Sequence, residues 1–545
     1  MPRRPAVIAA LVVAGLGVNL PFVTQAFHID DRLSIYVARQ ILASPLNPYD
    51  FAMVFGGRLQ NFHDFYANPP LGGYLLAMPL AVLGESEVGL HAAYAVIPLL
   101  AGLFMYLLAR RFALGEREAI AAAGLLILCP GVFTMGHTVM PDVALLWFYT
   151  AAVYFFVGGV EKKSTTDYAL AGFFAAAASL TRYSGLTLVP LFLGWALLRE
   201  RTVPRHAWLS VVSPLITVWL WLRWAATLYG GGWWEGIVSL EAGGVRPAKF
   251  GMQLAANVTH LGGAAIFAPA LLLALKTAPV AARTVLIGAS TGIALVFAGV
   301  LVEEFAHSPG QVALFLVFGV SILSFLGLLA YRAPGWFGAK PGRFFLAAWV
   351  FFLVVFNAPF LHTAVKYNLL EMPPLIILFI LLLREAVGEM QRPYLLATVV
   401  LTGIVGVMVA VGDWRLADAY RTFAEQVPAR SQNGNRVFYA GDWGWDYYMS
   451  RRGARPVISS GTPALGPGDV IFSPIMACPQ PAPVAIQGRM ILKEATDAGD
   501  AFPVRTMSGP GKAFFYANVV PGGVGVLPWS LSTAPLETFL TLEVQ

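Results

Sequence analysis

Apolar residues in this chain gather into long runs with few charges inside them, and short polar stretches rich in lysine and arginine separate the runs. A bilayer core takes about 20 mainly apolar residues per helix, and about thirteen stretches fit that description. They begin near Pro5, Val88, Ala119, Asp142, Tyr168, Gly185, Trp208, Gly262, Thr284, Val312, Phe344, Leu369 and Tyr394. The apolar stretch from Leu71 to Gly84 is too short to cross, and counting it would invert the charge pattern of every later connection. It reads as a juxtamembrane or re-entrant helix. After about Trp414 the chain has ordinary polarity, with strand-like runs at 436–440, 469–474 and 512–519 and turn residues such as Asn433-Gly434. The expected architecture is a polytopic α-helical membrane protein with a C-terminal α/β domain. Residues 1–413 form the membrane part, with a long first loop at 28–87, and residues 414–545 the domain outside it.

Composition excludes a soluble enzyme and a disordered chain: 57% of the 545 residues are hydrophobic and 12% charged, against about 25% charged in soluble domains. The net charge of +6 forms no single basic patch, so nucleic acid is not an expected partner. Topology explains it better. With the N-terminus in the cytoplasm, about seventeen of the 36 lysines and arginines fall on short cytoplasmic connections. An odd number of spans then places the tail on the periplasmic or extracellular side, in a bacterial inner membrane. Arg3 and Arg4 before an apolar run also fit a cleaved signal peptide, but the run is long and holds Asn19 and Pro21. Cys129 and Cys478 fit no metal or disulfide pattern.

The first loop, of about sixty residues, is far longer than an ordinary connection, and such loops are usually functional. It opens on His28-Ile29-Asp30-Asp31-Arg32 and continues with apolar residues spaced for an interfacial helix. Adjacent acids cannot both face one side of a helix, so one of Asp30 and Asp31 is free to serve as a base while the other favours the helix N-terminus. Farther on, Arg58, His63, Asp64 and Tyr66 precede Asn68-Pro69-Pro70, where two prolines stop any helix. Asp142 follows Pro141 at the start of a span, where an acid suits the helix dipole. Arg182, Arg223 and Lys366 are cations at the outer membrane face that either snorkel or meet a lipid phosphate. Glu303, Glu304 and His307 read as a solvated turn, and Gly230 to Trp234 as a flexible aromatic edge. Residues 508–512 fail the phosphate-loop spacing, and the sequon at Asn257 is too short to carry weight.

In order and spacing these features resemble the membrane-embedded C-type glycosyltransferases, family 39 in particular, with the protein O-mannosyltransferases and the lipid A aminoarabinose transferase. The resemblance rests on Asp30-Asp31 with Ala38-Arg39, on Asn68-Pro69-Pro70-Leu71-Gly72-Gly73-Tyr74-Leu75, and on Pro141-Asp142, Thr181-Arg182-Tyr183-Ser184-Gly185 and Lys366-Tyr367 with Pro373. Asn68 stands where that family usually has lysine, Lys366 where arginine is common and Leu370 where proline is frequent. The segment from Gly441 to Met449 resembles tails of bacterial members, its aromatics suited to stacking on a sugar or resting at the interface.

The resemblance implies a GT-C fold and transfer of a sugar from a polyprenyl-phosphate donor to a lipid, glycan or protein acceptor, with inversion. Asp30 is then the base and Asp31 the fallback. Arg58, Arg182 and Lys366 would bind the donor phosphate, and His63, Asp64, Tyr66, Asp142 and Tyr367 would support the site or the acceptor. A divalent metal ion held by Asp30, His63 and Asp142 is compatible with it. The competing class is a transporter or flippase for a lipid-linked sugar, although the acids cluster at the outer edge and no repeated halves are visible. A scaffold acting through the tail would leave the first loop unexplained.

Overall fold

The computed structural model describes residues 15–66, 68–230, 247–274, 280–300, 309–358, 362–430, 436–458, 465–477, 489–520 and 523–545. The chain is mostly helical, and among the described residues five helical stretches are long and apolar enough to cross a membrane by themselves. Shorter apolar helices supplement them. The 13-residue helix Leu188–Glu200 is preceded by the five-residue 3-10 turn Tyr183–Thr187, and the larger rise of that turn lengthens the crossing. Glu116–Leu128 likewise stops at Cys129 and resumes as Pro130–Met135, because Pro130 suits a first helical position and not a helix interior. The stretch expected from Gly262 holds the short helix Ala268–Ala274, which follows the end of the longer helix Pro247–Ala264. Gly262 itself sits near the end of that longer helix, where an added Cβ would overlap the Phe318 carbonyl oxygen of the helix Pro309–Trp336. The span expected at Pro5 is described only from residue 15, and Glu303, Glu304, His307, Trp233, Trp234 and Cys478 lie outside the described residues.

The first loop holds the interfacial helix Asp31–Ala43, a hairpin pairing Ala52–Phe55 with Arg58–Asn61, and the short apolar helix Leu71–Leu83. The two helices lie against each other: an added Cβ at Gly73 would strike Val37 and Ile41.

The last long helix, Gln391–Arg430, is 40 residues long. It passes through position 413 without a break, and its final turns bury Tyr420, Phe423 and Val427. Phe423 stacks on Phe539 with centroids 4.0 Å apart. Phe539 belongs to a five-stranded sheet ordered Arg455–Pro456, Val437–Tyr439, Val470–Pro474, Thr538–Val544, Met490–Asp497, parallel among the first three strands and antiparallel beyond. The expected strands near 437 and 470 are present, the run at 512–519 forms the short strand Ala513–Phe514 and the start of Val519–Val520, and the strands at 490 and 538 complete the sheet.

A short tail helix, Gly444–Arg451, docks this domain onto the first loop. Its Tyr447 hydroxyl donates to Glu85 at 3.3 Å, Tyr448 donates to Glu87, and the Phe27 N–H donates to the Tyr448 hydroxyl at 2.7 Å. Trp445 is fully buried. The aromatics of this segment therefore pack the seam between tail and loop and do not present a sugar-stacking surface.

The seam is closest at Gly444, where an added Cβ would overlap the Phe27 carbonyl oxygen. Gly444→Ala is expected to lower the unfolding temperature in detergent, by an overpacking cost of about 1–3 kcal/mol. Gly499→Ala, at an exposed position with open space around it, is expected to leave the melting curve unchanged.

Candidate active site

The first loop begins with a sharp turn. Ile29 has φ 52°, in the left-handed region, which a β-branched residue rarely adopts and which costs about 1–3 kcal/mol. The turn sends neighbouring side chains opposite ways, with His28 and Asp31 fully buried and Asp30 half-buried. His28 Nε2 lies 2.8 Å from Asp413 Oδ2 on the last long helix. Asp413 also accepts from the Tyr516 hydroxyl at 2.7 Å and Thr506 Oγ1 at 2.9 Å, both in the tail. The Asp31 carboxylate accepts the backbone N–H of His28 at 3.1 Å and of Val139 at 2.8 Å. One residue on, buried Arg32 pairs with two tail carboxylates, Asp442 at 3.1 Å and Asp446. The other Asp442 oxygen accepts the Gly56 N–H at 3.0 Å, which ties the hairpin to the same point.

Asp30 is the acid left facing outward. Its side chain is 37% exposed, and Oδ2 accepts from Lys366 Nζ at 3.0 Å. Lys366 lies on the 3-10 turn Val365–Glu371, which leads into the helix Met372–Val387. The tail fixes that turn as well, since the Val365 N–H donates to the Phe515 carbonyl at 2.9 Å. Beside them, Arg182 ends the helix Thr165–Thr181 and grips Asp142 with two nitrogens, Nε–Oδ1 at 2.9 Å and Nη2–Oδ2 at 3.3 Å. Burial alone would raise the Asp30 carboxyl; Lys366, foremost among three cations that include Arg182 and Arg32, outweighs it and holds the group below the usual aspartate range. Burial would lower the His28 imidazole, but Asp413 and Asp31 push it up to about 10.

Asp30, Lys366, Arg182, Asp142 and Tyr367 are thus brought together, with the Tyr367 hydroxyl 2.8 Å from His362 Nε2 and the Lys366 ammonium 6.0 Å from the Tyr367 ring. Tyr66 packs on Tyr49 and Phe62, and Arg182 and Asp30 both act on its hydroxyl. Other expected residues lie apart. Arg58 is exposed on the hairpin, with no ion pair among the described residues, and Arg223 is exposed near the end of its helix. His63 stacks on Tyr229 at 4.7 Å, and Asp64 is exposed and accepts from Asn61 at 3.2 Å. Asp31 faces away from the opening, with both carboxylate oxygens engaged by backbone N–H groups.

The expected metal set does not assemble. Asp30 and Asp142 are each matched to a cation of the protein, His63 is stacked elsewhere, and no three His, Cys, Asp or Glu side chains converge among the described residues. No step is therefore routed through a metal.

Sequence reasoning missed His28 as an anchor, and with it Asp413, Arg32, Asp442 and Asp446. Asp413 does carry a signal, as an acid at the end of an apolar run. The spacing of Asp442 and Asp446, one helical turn apart, is another.

Residues 67–224 match the family described as dolichyl-phosphate-mannose-protein mannosyltransferase. No curated protein sequence matches the chain. Among solved structures, an oligosaccharyltransferase from Archaeoglobus fulgidus, solved with zinc and sulfate, is 12% identical with a TM-score of 0.50, over 86% of this chain and 67% of that one. ArnT from Cupriavidus metallidurans is 15% identical with a TM-score of 0.46, over 86% of this chain and 92% of ArnT. The Pmt1-Pmt2 O-mannosyltransferase of S. cerevisiae is 17% identical with a TM-score of 0.34, over 43% of this chain and 34% of that one. The fold is that of the GT-C membrane glycosyltransferases. The sequence match, over residues 67–224 of the membrane part, supports a glycosyltransferase of the family 39 type.

The two acids of the loop separate in a stability measurement. Asp31→Asn and His28→Asn each break a buried charge pair, at a cost of about 3–5 kcal/mol, whereas Asp30→Asn changes unfolding by about 1 kcal/mol or less. The His28 contribution has a pH signature, because its folded pKa lies above its ordinary value. It is complete below about pH 6.5, declines as pH rises and is gone above about pH 10. The difference in unfolding temperature between wild type and His28→Asn, followed across that range, checks it.

Proposed function

We propose that this protein transfers a sugar from a polyprenyl-phosphate donor to an acceptor hydroxyl, with inversion, on the membrane face that carries the first loop and the tail. The observation that supports it most is the half-exposed Asp30 carboxylate beside Lys366 and Arg182. One carboxylate accepts a proton there, and two cations stand ready for a developing phosphate charge. The description of the matched family, which names a dolichyl-phosphate sugar, favours the same donor class.

In this reading Asp30 takes the proton of the acceptor hydroxyl while the acceptor oxygen bonds to the anomeric carbon. The bond from that carbon to the phosphate oxygen breaks on the opposite face, and its electron pair leaves with the polyprenyl phosphate, held by Lys366 and Arg182. Asp142 positions Arg182. A lipid, a glycan or a protein can supply the hydroxyl.

The opposite ends of the helices carry Arg332, Lys340 and Arg343 gathered on Glu385, Arg384 on Glu118 and Arg111 on Glu161. A cation-rich face of this kind belongs in the cytoplasm. The site then opens to the periplasm or cell exterior, at a bacterial inner membrane.

Purified protein in nanodiscs, given a panel of labelled polyprenyl-phosphate sugars and acceptors, should transfer label with at least one pair. Asp30→Asn should reduce the rate by about 10²–10⁴-fold and Arg58→Gln by little. Turnover that survives Asp30→Asn would contradict the assignment. Movement of lipid-linked sugar across liposomes without bond formation would support the transporter.

A further inference from the structure

Lys366 has two claimants. Its side chain is buried, and its ammonium is engaged by Asp30 at 3.0 Å, yet the reaction proposed above needs that ammonium on the donor phosphate. Arg182 cannot relieve the conflict by swinging over, because its Nε and Nη2 are both held on Asp142. Asp142 is the first residue of a helix packed in the core and is itself buried.

We infer that Asp30 and the phosphate of the donor compete for the Lys366 ammonium, so that donor binding draws Lys366 off Asp30 and frees the carboxylate for the acceptor hydroxyl. The inference rests on the proposed function. It also gives the reaction an order, with donor before a competent base. While paired, Asp30 is a weak proton acceptor: burial disfavours its charge, but Lys366, Arg182 and Arg32 all stabilise the charged form and outweigh burial. Moving the nearest cation from the carboxylate to a phosphate removes the largest of the favourable interactions and increases the basicity of Asp30 when the acceptor needs it. The phosphate is neutralised by the same movement, and the Asp30 carboxylate that loses its partner is half-exposed rather than sealed in the interior.

Binding of a polyprenyl phosphate, without sugar, to protein in nanodiscs tests the competition apart from turnover. Asp30→Asn should bind it about two- to fivefold more tightly than wild type, since an ion pair with one half-exposed partner is worth about that factor. Lys366→Gln should bind it more weakly. In the Lys366→Gln background the Asp30→Asn substitution should have no further effect, because there is no ammonium left to contest.

Three results overturn the inference. Tightening of equal size in both backgrounds would mean simple repulsion between Asp30 and the phosphate. Unchanged or weaker binding by Asp30→Asn would mean that Lys366 bridges both groups. Saturable binding that Lys366→Gln leaves untouched would place the phosphate elsewhere. Asp30→Ser carries the same expectations should the asparagine variant fold poorly. Failure of the wild type both to bind the lipid phosphate and to transfer any sugar would remove the proposed function itself.

Discussion

One strained turn governs this structure. Ile29 is held in the left-handed region between a buried imidazole and two buried charged residues, His28 on one side and Asp31 and Arg32 on the other. Buried charges of this kind cost several kcal/mol each unless their partners are supplied. Here most of the partners come from the far end of the chain: Asp413, Tyr516, Asp442 and Asp446. Arg32 of the first loop and Asp442 and Asp446 of the tail are one another's partners, so the two segments fold against each other.

The active-site geometry follows from that dependence. With residues 28, 31 and 32 anchored inward, Asp30 is the acid the turn exposes, and the tail also holds the Lys366 turn through Phe515. The carboxylate and its cation are thus set from one support, although 336 positions separate them in sequence. Arg182 and Asp142 complete the cluster from the ends of two helices that pack side by side in the membrane part. The tail is in this sense part of the site's framework rather than an appended module.

Much of this was legible in the sequence where the signal is local. Hydropathy marks the helices because a bilayer imposes length and polarity on each one separately, and the adjacency of Asp30 and Asp31 already indicates that only one of them faces the site, although the turn at Ile29 decides which. Asp142, Arg182 and Lys366 stand out as ionisable residues at the ends of apolar runs. What was not legible depends on long-range pairing. Nothing near Arg32 announces a partner 414 positions away. The expected boundary at 413 falls inside a continuous helix, because hydropathy changes there while the backbone hydrogen bonding does not. Arg58 looked equivalent to the other two cations until the hairpin placed it on an exposed strand.

The central claim, that tail carboxylates hold the end of the first loop that carries Asp30, is tested most directly by hydrogen–deuterium exchange on the full chain in nanodiscs. Wild type would be compared with the double variant Asp442→Asn/Asp446→Asn. The account predicts faster exchange across residues 28–43 and 52–61, with the membrane helices unchanged. Protection of the loop equal to wild type would contradict it.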